Sequence, residues 1–195
     1  MSHILGLLTH PDHEMHDIAK EKESVSYHYA HHVLLLAAIP VVSTFIGTTR
    51  IGWQLGTEPI VLSQTTALLL GVLFYAAILG AVAIMGNVIH WLARDYPQRP
   101  SVPRCVVFAG YIATPMFLSG LIALYPIIWL CVFVGTIGLA YSGYLLFLAI
   151  PSFLNIGKDE SLRISGSIFA IGVLVLELLV AISVLIWGYG YGYRI

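Results

Sequence analysis

Histidine is concentrated at the start of the chain, where its spacing could hold a metal ion. Seven of the 8 histidines fall in the first 32 residues. His10, His13 and His16 recur every three residues, which on a helix places neighbouring imidazoles on adjoining turns. Imidazole binds borderline cations such as Zn²⁺ or Ni²⁺. This spacing drifts around the helix, so a third ligand must come from another segment.

A second histidine cluster, made of His28, His31 and His32, lies where the first apolar segment begins. His28 and His32 are four residues apart, which is good spacing for two ligands on one helix face. Two other interpretations stay open for both clusters. Imidazoles are stable at a lipid headgroup interface with one polar edge in water, and they titrate near neutral pH, as a pH sensor requires. A divalent metal is therefore the only cofactor that the sequence suggests.

Glu177 is the only acidic residue deep inside an apolar segment. An ionised carboxylate at the centre of a bilayer costs about 3 kcal/mol or more, so we expect Glu177 to be protonated, paired or facing water. It could couple the movement of a proton or cation, or it could join two helices as a neutral hydrogen-bonding group. The expected neutral partners on other spans are Asn87, Thr114, Ser119, Tyr141 and Ser142.

No catalytic motif accompanies these residues. His13-Glu14-Met15-His16 has one spacer too few for the zinc-protease pattern H-E-x-x-H, and no glycine-rich phosphate loop is present. The segment around Tyr141-Ser142-Gly143 does not form a serine-hydrolase motif either. The sequence therefore predicts that the protein is not an enzyme.

The composition is that of an integral membrane protein. Of the 195 residues 58% are hydrophobic and 10% are charged, and the mean hydropathy is +0.89, whereas soluble domains are about 25% charged. This excludes a soluble enzyme and a secreted disulfide scaffold. A net charge of −1 gives no reason to expect nucleic acid as a partner. Cys105 and Cys131 lie at or near the starts of two consecutive antiparallel apolar segments, and therefore toward opposite faces of the membrane. This is too far apart for a disulfide, so we expect two free thiols.

Five segments are long and apolar enough to cross a bilayer, which takes about 20 residues: 30–49, 65–93, 105–124, 127–150 and 166–189. The sequence therefore predicts an all-α membrane protein, a bundle of five transmembrane helices over residues 30–195. Residues 1–29 are expected to form an amphipathic cytoplasmic segment with a helix from Pro11 to Tyr29. Pro40 and Pro115 are expected to break spans one and three.

Basic residues near the span ends predict the orientation. With the N-terminus inside, seven Lys and Arg side chains lie on the cytoplasmic face and two, Arg50 and Arg194, on the other. This bias places the N-terminus in the cytoplasm and the C-terminus outside.

The pattern resembles the Yip domain family. Leu7-Leu8-Thr9-His10-Pro11 is similar to the family's L-L-x-x-P segment, and Gly110-Tyr111-Ile112-Ala113-Thr114-Pro115 is similar to its G-Y-x-x-x-P signature. The whole chain resembles inner membrane proteins of enteric bacteria, most clearly over residues 28–40, 108–126 and 150–156.

The resemblance implies a bacterial inner membrane protein that organises or binds lipids or other membrane proteins, with homo-oligomers among the expected assemblies. It makes Tyr111, Thr114 and Pro115 candidate site residues, beside Glu177 and Asn87. The alternative is a small transporter or channel for protons or cations that uses Glu177. Fold and location transfer within a family more readily than molecular activity does.

Overall fold

A computed structural model of the chain describes residues 26–54, 59–96 and 99–191, with the backbone alone for 26–32 and 184–191. The predicted amphipathic helix therefore lies outside the described residues except for its last four positions. The L-L-x-x-P segment also lies outside them.

The described chain is almost entirely helical. The elements, in chain order, are α1 (Ser26–Arg50), β1 (Trp53–Gln54), β2 (Pro59–Ile60), α2 (Gln64–Leu92), α3 (Val102–Ile112), α4 (Thr114–Ser119), α5 (Ile128–Leu154) and α6 (Lys158–Tyr191). Two short 3₁₀ segments, Ala93–Asp95 and Gly120–Leu124, extend α2 and α4. The helix α1 runs without interruption through residues 29 and 30, where the sequence placed the boundary between its two parts.

The helix ends follow from local chemistry. The Ser63 hydroxyl accepts a hydrogen bond of 3.2 Å from the Thr66 backbone N–H and so caps the first turn of α2. Pro103 stands in the first turn of α3, where a missing N–H costs nothing. Asn155 ends α5 in the left-handed conformation with φ of 52°, which asparagine tolerates better than most residues.

Contacts at the two ends of the bundle establish the number of crossings. At one end the Gln54 N–H donates to the Pro126 carbonyl at 3.3 Å, and Trp53 pairs with Ile60. At the other end Arg104 lies over the Phe153 ring at 5.5 Å. The bent pair α3–α4 therefore joins opposite ends and counts as one span, although α3 and α4 meet at 42°. Together with α1, α2, α5 and α6 it makes five spans, which confirms the predicted all-α membrane bundle.

The interior of the described bundle is mainly apolar, with six buried Ser and Thr side chains. Ile89, Ile150 and Leu154 are almost completely buried, and the rings of Phe108 and Phe153 stack with centroids 3.9 Å apart. Both thiols are free, Cys105 buried in this core and the other half-buried, as predicted.

The prediction that Pro40 breaks span one is wrong. Pro40 lies inside the continuous helix α1, and its ring packs against Gly120. Helices in membranes accept an interior proline when neighbouring groups cover the freed backbone. In span three the interruption comes at Ala113, two residues before the proline, and Pro115 occupies the first turn of α4. A proline in a first turn starts a helix with little cost.

Candidate functional site

The bend between α3 and α4 brings together three of the predicted site residues. Tyr111, Thr114 and Pro115 are all buried there. The Thr114 hydroxyl donates to the Gly110 carbonyl at 3.3 Å, so it satisfies a backbone acceptor beside the interruption. These residues are packed inside the bundle, where they shape span three.

The glycine of the G-Y-x-x-x-P signature allows α1 and α3 to approach each other closely. A Cβ atom placed on Gly110 would overlap a methyl group of Val33. A second close contact lies on the other side of the bend, where Gly138 of α5 faces the Ser119 side chain and the Pro115 carbonyl. The signature therefore fixes the contacts of span three with α1 and with α5.

Asn87 lies on the outer surface of α2. Its side-chain amide donates to the Ala83 carbonyl at 2.8 Å, one turn earlier on the same helix. No other part of the described chain covers this side chain, so in a monomer it faces the lipid. Asn87 does not meet the residues of the bend or Glu177.

Glu177 also faces outward. The buried side of α6 is formed by Ser161, Ile164, Ser165 and Ile168. Glu177 follows Ile168 by nine residues, which at about 100° per residue is half a turn away from that side. Its side chain is exposed and makes no hydrogen bond or ion pair with any residue that the structure describes. The expected hydrogen bond from Glu177 to another span is therefore wrong, because the sequence did not show which face of α6 carries this residue.

A cluster at the end of the bundle that holds residue 96 was not predicted. The Tyr96 hydroxyl donates to Glu160 at 2.9 Å and so joins the end of α2 to the start of α6. Burial raises the pKa of Tyr96, and the hydrogen bond to Glu160 and the negative charge of Glu160 raise it further. Nearby, His90 Nδ1 lies 2.8 Å from the Pro100 carbonyl oxygen.

Sequence periodicity carries no signal for this cluster because its residues come from three separate loops and helix ends. The segment 150–156, which contributes to the family resemblance, was the one available indication. It contains Phe153, which packs between Phe108 and Arg104, and the left-handed Asn155.

The histidine clusters stay predictions. His10, His13 and His16 lie outside the described residues. His28, His31 and His32 lie on the α1 backbone, but their side chains are outside the described part of the chain. Within the described ranges no group of three or more His, Cys, Asp or Glu side chains could hold a metal ion.

Comparison with known proteins gives two findings. The Yip1 domain profile matches residues 5–188. The chain is 62% identical, over 94% of its own length and 95% of the relative's, to the inner membrane protein YohC of Escherichia coli strain K12, and it matches the protein of the same description from E. coli O6:H1 equally well. No solved structure matches it.

Proposed function

The chain belongs to the Yip1 domain family, and from this premise we propose that it is a non-enzymatic inner membrane protein that binds lipids or other membrane proteins through the outer surface of its helix bundle. The description of its relatives as inner membrane proteins supports the location. The predicted orientation, with a cytoplasmic N-terminus and a periplasmic C-terminus, belongs to the same proposal.

The observation that carries this proposal is the direction of the amide and carboxyl side chains within the spans. Asn87 and Glu177 both lie on the outer surface of the bundle, on α2 and α6. Exposed polar groups in a hydrocarbon environment favour contact with another polar group, because lipid tails offer no hydrogen bond. A binding role places the polar groups on the outside, where another membrane component reaches them.

The transport alternative needs polar groups between the spans instead. The buried polar side chains of the described bundle are all Ser or Thr, the core around Ile89, Phe108 and Ile150 is apolar, and Glu177 points away from it. A path for a proton or cation through one chain would have to cross this core. The binding function is therefore the better supported of the two.

Photocrosslinking in native membranes tests the proposal. A photoreactive amino acid placed at position 87 or 174, both outward-facing, should form adducts with lipids or membrane proteins after illumination. The matched control is position 145, whose leucine is fully buried, and it should yield only links within the chain.

Two results would contradict the proposal. One is an absence of adducts at both outward positions. The other is proton or cation flux in vesicles that contain the purified protein, if that flux disappears in the Glu177→Gln variant, since it would establish transport through this carboxyl group.

A further inference from the structure

Glu177 places a carboxyl group on the lipid-facing surface, well inside the membrane. Along α6 it follows Arg163 by 14 residues and precedes Trp187 by ten, or about 21 Å and 15 Å at the rise of a helix. The hydrocarbon core is about 30 Å thick, so neither interface is close. Even a neutral carboxyl group there has a donor and an acceptor that lipid tails cannot satisfy. The surface around it is therefore incomplete in a single chain.

The exposed residues around this carboxyl group form a regular line, which we call the α6 seam. Its members are all exposed and recur at alternating intervals of three and four residues: Ser167, Ala170, Leu174, Glu177 and Ala181. A repeat of 3.5 residues is the pattern that lets two helices stay in contact while they coil around each other. Three of the five side chains are small, which allows two helix backbones to approach closely within a membrane.

Contacts with the neighbouring helices leave this seam free. α6 packs against α2 and α5 through its opposite side, where a Cβ on Gly172 would lie 3.6 Å from the Met85 methyl group. On the same side of α6, the Phe169 ring packs against Gly143 of α5. The α6 seam is thus a helix face with a polar centre, and no described part of the chain covers it.

We propose that a second copy of this chain covers the α6 seam, with the two α6 helices packed in parallel and the two Glu177 carboxyl groups hydrogen-bonded to each other. This rests on the proposed binding function and names its partner. The two copies are related by a two-fold axis along the membrane normal, which is the commonest symmetry of oligomers.

A second copy of the chain matches the depth and the chemistry of Glu177. A two-fold axis along the membrane normal brings each residue to the same depth as its equivalent, so two α6 helices packed along the α6 seam bring Glu177 to Glu177. A carboxylic acid is both donor and acceptor, and therefore complements itself. A hydrogen bond between two carboxyl groups requires a proton on at least one of them.

Association of the labelled, purified protein in lipid vesicles tests this proposal, by energy transfer as the protein-to-lipid ratio is varied. The parent should dimerise. Glu177→Gln keeps a donor and an acceptor and should stay within about threefold of the parent dissociation constant. Glu177→Leu should weaken the dimer about tenfold, the size of an interhelical hydrogen bond in a membrane.

Thr136→Leu is the matched control. Thr136 lies on the exposed side of α5, and the contact between Gly143 and Phe169 puts it at nearly the depth of Glu177. Its hydroxyl donates to the Val132 carbonyl of its own helix at 2.8 Å, so its loss should leave the dimer unchanged. An equal effect of Thr136→Leu and Glu177→Leu would overturn the proposal, as would a parent that is monomeric at every ratio.

Disulfide crosslinking tests the same interface without the Glu177→Leu variant, which is needed if that variant does not fold. In a Cys131→Ala background that retains buried Cys105, Leu174→Cys should form a disulfide between two chains in native membranes. Ala140→Cys, exposed on α5 within about 3 Å of the same depth, should not. Crosslinking through residue 140 alone would place the interface elsewhere. A monomer that still forms photoadducts with lipids or other proteins would reject the dimer and leave the binding function standing.

Discussion

Many hydroxyl groups within the described spans hydrogen-bond to backbone carbonyls of their own helices, whereas the buried hydroxyls of Ser142 and Ser165 have no partner there. The Thr48 hydroxyl donates to the Thr44 carbonyl at 2.8 Å, and the Thr114 hydroxyl donates to Gly110 across the bend of span three. A hydroxyl bonded in this way can lie in an apolar interior at little cost, since its donor is satisfied. Thr114 differs from the others because it is buried beside an interrupted helix. The loss of its hydroxyl should therefore destabilise the fold most.

Thr114→Val should lower the free energy of unfolding by about 1 kcal/mol, because it removes one buried hydrogen bond and keeps the volume. Thr114→Ser retains the hydroxyl and should lie closer to the parent. Denaturation in mixed micelles, followed by circular dichroism, measures both. Equal stability of the valine variant and the parent would show that the hydroxyl contributes nothing at the bend.

Tyr96→Phe tests the link between α2 and α6. The variant should be about 0.5 kcal/mol less stable at neutral pH, at the lower end for one hydrogen bond because Glu160 is exposed. The pKa of Tyr96 is raised above its usual value of 10.0 by burial and by Glu160. The hydrogen bond is therefore fully present below pH 10 and is lost as the pH rises through the higher pKa of the folded state.

The measurement for Tyr96 is the difference in unfolding free energy between parent and variant, at pH 7 and above pH 10. This difference should shrink in alkali. Tyr125→Phe, which changes an exposed tyrosine at the opposite end of the bundle, should show no such trend. A difference that grows with pH would contradict the assigned direction of the hydrogen bond.

Metal binding by the N-terminal histidines is a separate prediction. Calorimetry of the solubilised protein with Zn²⁺ or Ni²⁺ should show binding at about pH 7.5 that weakens near pH 5.5, because a ligating imidazole must be neutral. Alanine at positions 10, 13 and 16 together should abolish it. Unchanged binding by that triple variant would exclude this cluster as the site.

At the level of whole elements, the contact between α1 and α3 depends on one missing side chain. Gly110→Ala should destabilise the protein by about 1–3 kcal/mol, because the added methyl group overlaps Val33. Combining it with Val33→Ala should recover part of the loss, so that the two effects are not additive.

Gly80→Ala is the control for Gly110→Ala. Gly80 lies on α2 with nothing within 4 Å of an added Cβ, so alanine should be neutral or slightly stabilising through its higher helix propensity. The same denaturation experiment applies to all three variants. A similar loss at both glycines would mean that helix flexibility, rather than the contact with Val33, is what Gly110 provides.

The sequence predicted where the helices lie along the chain better than it predicted which side of each helix is buried. Apolar length was enough to find all five spans, since the cost of leaving a backbone unsatisfied in lipid forces each of them to be a helix. The face of Glu177 was not predictable, because α6 is apolar on every side and gives no amphipathic pattern. The links of Tyr96 and Arg104 were missed because they join residues far apart in the chain.

For the whole molecule, the distribution of basic residues predicts the orientation. Reporter fusions after residue 195 should report the periplasm, and fusions within residues 97–104 should report the cytoplasm. An alkaline phosphatase and a fluorescent-protein reporter, active on opposite sides of the membrane, give complementary readouts. A cytoplasmic signal from the C-terminal fusion would contradict either the orientation or the five crossings.

The small sheet at one end of the bundle sets an order for biogenesis. Gln54, which belongs to the loop between the first two spans, donates its backbone N–H to Pro126 and bridges Ile127 at the start of the fourth span. The ribosome adds Pro126 66 residues after Ile60, the last residue of the sheet. The N–H of Gln54 must meanwhile bond to water, since a backbone donor cannot stay unsatisfied away from it. The β1–β2 sheet thus stays hydrated until the fourth span begins to enter the membrane. The hydrogen bond between Gln54 and Pro126 is therefore a late event of co-translational assembly.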